Sequence, residues 1–340
     1  MSEQSKTILN VSDAPHVKVD FYIKDCMINI MLSLCPLLIL GVYNYGTRVA
    51  SILAVSCLSA CIFELLWCYI EKKKNTVGDL SALCAGMLLT CVYNPSVSLW
   101  IPVIGSFFAV IIFKKLMGGL GKSIINPIAA SMLLLYALFP AQTLLTVEKK
   151  CYLPTFAIDP NTVDIIAGST PLASLREGII SESYGISDMI LGNMSGAIGC
   201  ISALLIVACA SFMIIKHTIS FALPCTMTLT MALLCLAFPA GESALVFTAR
   251  EILTGSFLFS VFFVATDYAT TPLTRSGRII YGIGCSLFTF LFRYFSSSSE
   301  GIFFAICLMD LTVPLLDRVK SLLPSSDDIV KFLRRKGGKV

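Results

Sequence analysis

The sequence predicts an all-α integral membrane protein of about ten transmembrane helices, arranged as two five-helix halves of opposite orientation. Three observations carry that prediction. Hydrophobic residues make up 56% of the 340 and charged residues only 14%, with a mean hydropathy of +0.84, far more apolar than a soluble chain of this length. The apolar residues gather in ten continuous runs, most of them near the ~20 residues that a helix needs to cross a hydrocarbon core about 30 Å thick. Finally, 19 of the 25 Lys and Arg lie on one side of the membrane when these runs are threaded back and forth. A β-barrel is excluded by the same runs, which are too long and too uniformly apolar for tilted strands of alternating polarity.

Residues 1–25 are polar, lack the apolar core of a signal peptide and read as a cytoplasmic tail. The first half, residues 26–140, holds the runs 26–45, 48–70, 79–93, 97–116 and 123–140. Residues 141–191 form a long external loop. The second half, residues 192–317, holds the runs 192–214, 218–238, 249–266, 278–296 and 301–317, and residues 318–340 form a basic cytoplasmic tail suited to anionic membrane lipid. Five crossings per half is an odd number, so the halves face opposite ways, as in inverted-repeat membrane proteins. Asp79–Pro95 and Glu251–Asp267 support this: each is the third run of its half, each begins with an acid, and both are short for a crossing. The pairs Asn94-Pro95, Asn126-Pro127 and Thr271-Pro272 either interrupt helices beside a buried ligand or mark loops and first helical turns.

The charge asymmetry places both termini inside and the 141–191 loop outside. The net charge of +4 follows from this topology, and the basic residues flank spans without interleaved exposed aromatics, so no nucleic-acid partner is expected. Nearly all of the 14 cysteines lie within predicted spans, where Cys is a small apolar residue, and no disulfide framework is indicated. Cys151 alone sits in the external loop. The two histidines, His16 and His217, lie near cytoplasmic ends and cannot assemble a metal site; Cys57, Cys61 and Cys68, with Cys84 and Cys91 on another run, read as packing residues before they read as a cluster site. Gly121-Lys122-Ser123 has the ending of a phosphate-binding loop, but position 116 is Leu where that loop needs Gly, and no strand precedes it. Acids at membrane depth are costly, about 2.5–3.5 kcal/mol on insertion scales. Glu64 and Asp310 are therefore candidates for an ion or proton path, while Asp267 beside Arg275 reads as a structural or interfacial acid.

The external loop contains Asp164-Ile165-Ile166-Ala167-Gly168-Ser169-Thr170-Pro171-Leu172. Gly168 permits a tight turn, Thr170 suits a helix cap and Pro171 suits the first helical position, so a short helix is expected to about Glu177, its N-terminus favouring an anion. By itself this describes any capped helix in a loop. The run also resembles the flavinylation motif of the NqrB/RnfD family, membrane components of sodium-pumping quinone reductases and of Rnf electron-transport complexes, with Ala167 standing where Ser or Thr is usual. That resemblance implies FMN joined through its phosphate to Thr170, with Gly168 and Ser169 forming the turn and Asp164 the acid ahead of it. Further patches are similar to the same family: Gly118-Gly119-Leu120-Gly121 with Asn126-Pro127; Thr266-Asp267 with Thr270-Thr271-Pro272; and Glu300-Gly301 leading to Pro314-Leu315. Only about 25 residues precede the first run, which favours the Rnf branch over NqrB.

What the resemblance implies is a urea- and ammonium-transporter-like fold in a bacterial or archaeal cytoplasmic membrane, and a flavin-carrying component of a complex that passes electrons between ferredoxin and NAD while moving Na+ or H+. It also implies the other Rnf subunits as partners, a flavin transferase for maturation and a possible second flavin, riboflavin. An NqrB-like role in a quinone-reducing sodium pump, or a passive channel for a small polar solute, stays open at this point. The topology is directly testable. A membrane-impermeant thiol reagent applied to intact cells should label Cys151, and labelling only after the membrane is opened would reverse the orientation.

Overall fold

The computed structural model describes residues 23–72, 77–119, 121–143, 147, 155, 185–239, 243–295 and 300–318. Among them are ten α-helices of eight residues or more and no strand. In the first half these are α1 (Ile23–Tyr45), α2 (Thr47–Ile70), α3 (Ser81–Val92), α4 (Trp100–Phe107) and α5 (Pro127–Leu138). In the second they are α6 (Ala203–Ile215), α7 (Ala222–Ala237), α8 (Ala244–Leu253), α9 (Arg275–Phe295) and α10 (Ile302–Asp310). Among the described residues α1 and α2 are long and apolar enough to cross a membrane unaided. Helix α8 and a following limb, Phe257–Val264, pass the same test together but are bent by 63° at the intervening break. Leu32, Ile39, Leu58, Ile62, Leu229 and Leu233 are exposed, as expected of faces turned to lipid.

Several expected boundaries move, each for a visible reason. The run 192–214 is helical only from Ala203, because residues 193–202 pack as irregular backbone against the end of α3. There Ile198 and Gly199 donate their N–H groups to the carbonyls of Tyr93 and Cys91, and the Tyr45 hydroxyl donates to Gly196. A Cβ on Gly199 would come within 2.5 Å of the Cys91 side chain, so only glycine permits that approach. Helix α4 passes into a π-helical stretch, Phe108–Lys115. The 249–266 run is the broken pair, and Asn126-Pro127 proves to be a helix start: the Asn126 Oδ1 accepts the N–H groups of Ile128 and Ala129, with Pro127 in the first turn. Gly118, Gly119 and Gly121 all have positive φ and form a turn, not a phosphate loop on a strand.

The packing repeats between halves. Helix α2 lies against α3 and α4, and α7 against α8 and α9; between the halves α1 meets α6 and α5 meets α10, helices of equal rank in each half. Small residues permit the close crossings. A Cβ on Gly86 of α3 would lie 2.8 Å from Cys57 Cα of α2, and one on Gly282 of α9 would lie 2.2 Å from Thr226 Oγ1 of α7. Hydroxyls bridge the same crossings: Ser56 Oγ donates to the Gly86 carbonyl at 3.0 Å, and Ser286 Oγ to that of Met227 at 2.7 Å. Gly86→Val should therefore force α2 and α3 apart and lower stability by about 1–3 kcal/mol, the usual range for overpacking. Gly78→Ala, which meets nothing within 4 Å, should not. Thermal unfolding of the detergent-extracted chain checks the pair; equal melting of both variants would contradict the close crossing.

Candidate functional site

At the end of the bundle expected from the basic residues to face the cytoplasm, called the inner end, the two halves border an open cleft of about 880 Å³, solvent at its mouth included. Met27, Ile30, Leu88 and Phe263 give it apolar walls; Ser81, Lys114, Asn126, Thr266, Asp267 and Tyr268 give it polar groups. A second recess of about 520 Å³ shares Thr218, Ile219, Thr266 and Tyr268 with it and extends to Arg278. The cleft exists because helices end here in both halves. Helix α3 starts at Ser81 after Leu80, which is held in the left-handed region at φ 60°, and the Phe257–Val264 limb ends at Thr266–Asp267. Within the cleft Asp267 accepts the backbone N–H of Ala269, so its partner among the described residues is its own turn and not Arg275.

Two buried acid clusters brace the cleft. Glu64 of α2 is 1% exposed and pairs with Lys114 at 2.8 Å and with Lys115 at 2.9 Å. Lys114 also donates to Ser81 Oγ at 2.7 Å, so one ammonium links α2, the start of α3 and the π-helical stretch. Asp310, fully buried at the end of α10, accepts from the Tyr281 hydroxyl and from the Asn126 N–H, each at 2.7 Å. Asn126 in turn donates its Nδ2 to the Val264 carbonyl at 2.8 Å, satisfying the end of the broken limb from the other half. Asn126 thereby joins α5, α10 and the limb.

At the opposite end the break between α8 and its limb, at Thr254-Gly255-Ser256, is held by a second set of charges. Gly255 takes φ 68°, Glu300 accepts from both the N–H and the hydroxyl of Ser256, and Arg293 pairs with Glu251 at 2.8 Å. Among the described residues, a left-handed residue followed by serine therefore stands both at the start of α3 and at the break after α8, and each serine is tied into a buried ionic cluster.

Of the residues nominated from sequence, Glu64 and Asp310 are buried as expected, and each has defined partners in place. Neither lines the cleft, whereas Asp267 does. Thr170, Gly168, Ser169 and Asp164 lie outside the described residues, as does Cys151. No group of three or more His, Cys, Asp or Glu among the described residues could hold a metal ion. Lys114 and Lys115, read from sequence only as flanking positive charge, are in fact buried partners of Glu64. The available signal was complementary: a lone acid within one apolar run and a lysine pair ending another.

Removing one member of a buried ion pair leaves an uncompensated charge, with a usual cost of about 3–5 kcal/mol. Glu64→Gln should therefore sharply reduce the amount of folded chain in membranes. Glu64→Gln/Lys114→Met should recover part of it, because one stranded ammonium is removed. Quantitative immunoblotting of membrane fractions checks this, and a double variant no better than Glu64→Gln would contradict the coupling.

The sequence profile of the NQR2, RnfD, RnfE family matches residues 10–322. The D subunit of the Na(+)-translocating ferredoxin:NAD(+) oxidoreductase complex of Acetobacterium woodii is 33% identical over 312 residues, covering 91% of this chain and 93% of that protein. The D subunit of the proton-translocating ferredoxin:NAD(+) oxidoreductase complex of Clostridium ljungdahlii is 31% identical over 327 residues, covering 92% and 95%. The D subunit of the ion-translocating oxidoreductase complex of Methanosarcina acetivorans is 28% identical over 312 residues, covering 92% and 95%. A family profile spanning nearly the whole chain, with relatives alike from end to end, gives the assignment: this chain belongs to the NQR2, RnfD, RnfE family.

Proposed function

We propose that this chain is the flavin-carrying RnfD component of an Rnf-type complex that couples electron transfer between ferredoxin and NAD to Na+ or H+ translocation, with FMN esterified through its phosphate to Thr170. The observation that carries the reading is the coincidence of two features. The chain is aligned nearly end to end with proteins named as D subunits of ferredoxin:NAD(+) oxidoreductase complexes, and it keeps the Gly168-Ser169-Thr170-Pro171 run in the loop that the charge distribution places outside. Those names favour the ferredoxin:NAD reading over quinone reduction. In this proposal the helices cross the membrane ten times in two inverted halves, with both termini inside; the equal-rank contacts of α1 with α6 and α5 with α10 support the pseudo-symmetry.

The same proposal gives the inner cleft to a second, non-covalent flavin, riboflavin. The residues fit such a group: apolar walls suit a flat ring system, and the Ser81, Ser123, Thr218 and Thr266 side chains suit a hydroxylated tail. A bound flavin would supply one- and two-electron transfer. The chain's own contribution is to hold these groups at opposite ends of one rigid bundle, to exclude water with the apolar walls, and to keep Lys114 fixed against Glu64 at the cleft. The proposal keeps Glu64 and Asp310 as candidates for the ion path. An ion using them would have to exchange with Lys114, Lys115 or Tyr281, which occupy their oxygens.

The decisive experiment uses the chain purified from a host that makes its complex and flavin transferase. After denaturation, one flavin should stay on the chain as in-gel fluorescence and a second should be released to solvent. Thr170→Ala should abolish the fluorescence while a membrane-inserted chain remains. Ser169→Ala should retain most of it, and mass spectrometry of the peptide containing Thr170 should show the added FMN. A fluorescent Thr170→Ala chain would move the attachment elsewhere.

A further inference from the structure

Arg48 heads the largest fully buried side chains of the described structure, at 1% exposure, yet it occupies the second residue of α2. A cation in the first turn of a helix opposes the helix dipole, and a buried one needs polar partners. Its described partners are two backbone carbonyls from other segments: Nη1 donates to Thr155 at 2.9 Å and Nη2 to Val97, in the link between α3 and α4, at 2.8 Å. Thr155 belongs to the 141–191 segment. Two neighbours on α2 converge on the same residue, Thr47 Oγ1 at 2.8 Å from Thr155 Oγ1, and Ser51 Oγ donating to the Thr155 carbonyl at 2.9 Å.

Ser51 has one hydroxyl proton, shared between the Arg48 carbonyl at 2.7 Å and the Thr155 carbonyl at 2.9 Å, so Arg48 Nη1 is the full donor to Thr155. What its planar fork adds is a bridge, because two donors in fixed geometry reach two segments at once. We propose that Arg48 is a positioning residue for the outer loop, fastening the segment that carries Thr170 to the outer ends of α2 and the α3–α4 link. This rests on the flavin reading for its functional consequence: Thr170 follows Thr155 by fifteen residues, so anchoring Thr155 keeps a flavin borne there within about 50 Å of that anchor.

The test uses the assembled complex in native membranes. Arg48→Gln should let an impermeant maleimide label Cys151 several-fold faster, with Arg48→Lys between it and the parent, because lysine keeps the charge but not the fork. An unchanged labelling rate at normal abundance overturns the proposal. Should Arg48→Gln fail to accumulate, Thr47→Cys/Thr155→Cys in a Cys151→Ser chain decides instead. The two hydroxyls lie 2.8 Å apart, so the pair should crosslink on oxidation, and failure to crosslink overturns the contact. Adding Arg48→Gln to that chain should lower ferredoxin:NAD turnover several-fold in the reduced state and restore it on crosslinking, which a purely structural role would not do; turnover indifferent to the crosslink overturns the positioning role. A parent chain lacking in-gel flavin fluorescence would sink the flavin reading alone, since the labelling and crosslinking results still judge the tether.

Discussion

Lipid offers no hydrogen bonds, so wherever a membrane helix stops short the protein must satisfy the freed backbone and polar groups from within. The architecture of this chain follows from that constraint. Among the described residues α3 starts at Ser81 directly after left-handed Leu80, a helix of the second half breaks at Thr254–Ser256, and a buried ionic cluster stands at each. At one, Lys114 joins Ser81 to Glu64; at the other, Glu300 takes the N–H and hydroxyl of Ser256 while Arg293 binds Glu251. Neither site lies at a proline. Proline removes a single donor, whereas a left-handed residue turns the chain and frees a whole helix end.

The same constraint explains why a cleft opens at one end of the bundle. The start of α3, the link before α5 and the end of the Phe257–Val264 limb meet there, and each leaves polar groups that packed neighbours must meet. Asn126 serves three of them at once. Its Oδ1 caps α5, its Nδ2 takes the carbonyl of Val264, and its own N–H goes to Asp310. Asp310 gains in return the Tyr281 hydroxyl and a place at the positive end of the α5 dipole, which is a sufficient physical reason for an acid at that depth.

Electrostatics then divides the molecule by end. Glu64 is held between two lysines, a locally cationic group beside the cleft, and Lys114 is shared between the pair and the cleft wall. At the other end Arg48 uses its charge on carbonyls, not on a carboxylate, and joins segments 49 and 107 residues away from it in the chain. Buried ion pairs contribute little net stability against apolar packing of equal volume, but they tolerate no misalignment. Here each pair bridges separate elements, α2 with the π-helical stretch and α8 with α9.

What the sequence by itself determined was the all-helical, apolar class and the family. Length, apolarity and the lysine and arginine bias are local properties that lipid reads directly, so α1, α2 and α9 fall within a few residues of their runs. The family patches were legible because they are contiguous, and two of them, Asn126-Pro127 and Thr266-Asp267, fall at the cleft. Only the tertiary structure decided where helices break, that residues 193–202 are irregular backbone and that Lys114 and Lys115 are buried. It alone gave Glu64 and Asp310 their partners. Those outcomes depend on contacts such as Asn126 with Asp310, 184 residues apart, and Lys114 with Glu64, 50 apart. A window of hydropathy cannot contain both members of such a pair, and satisfying buried polar groups is a condition on pairs.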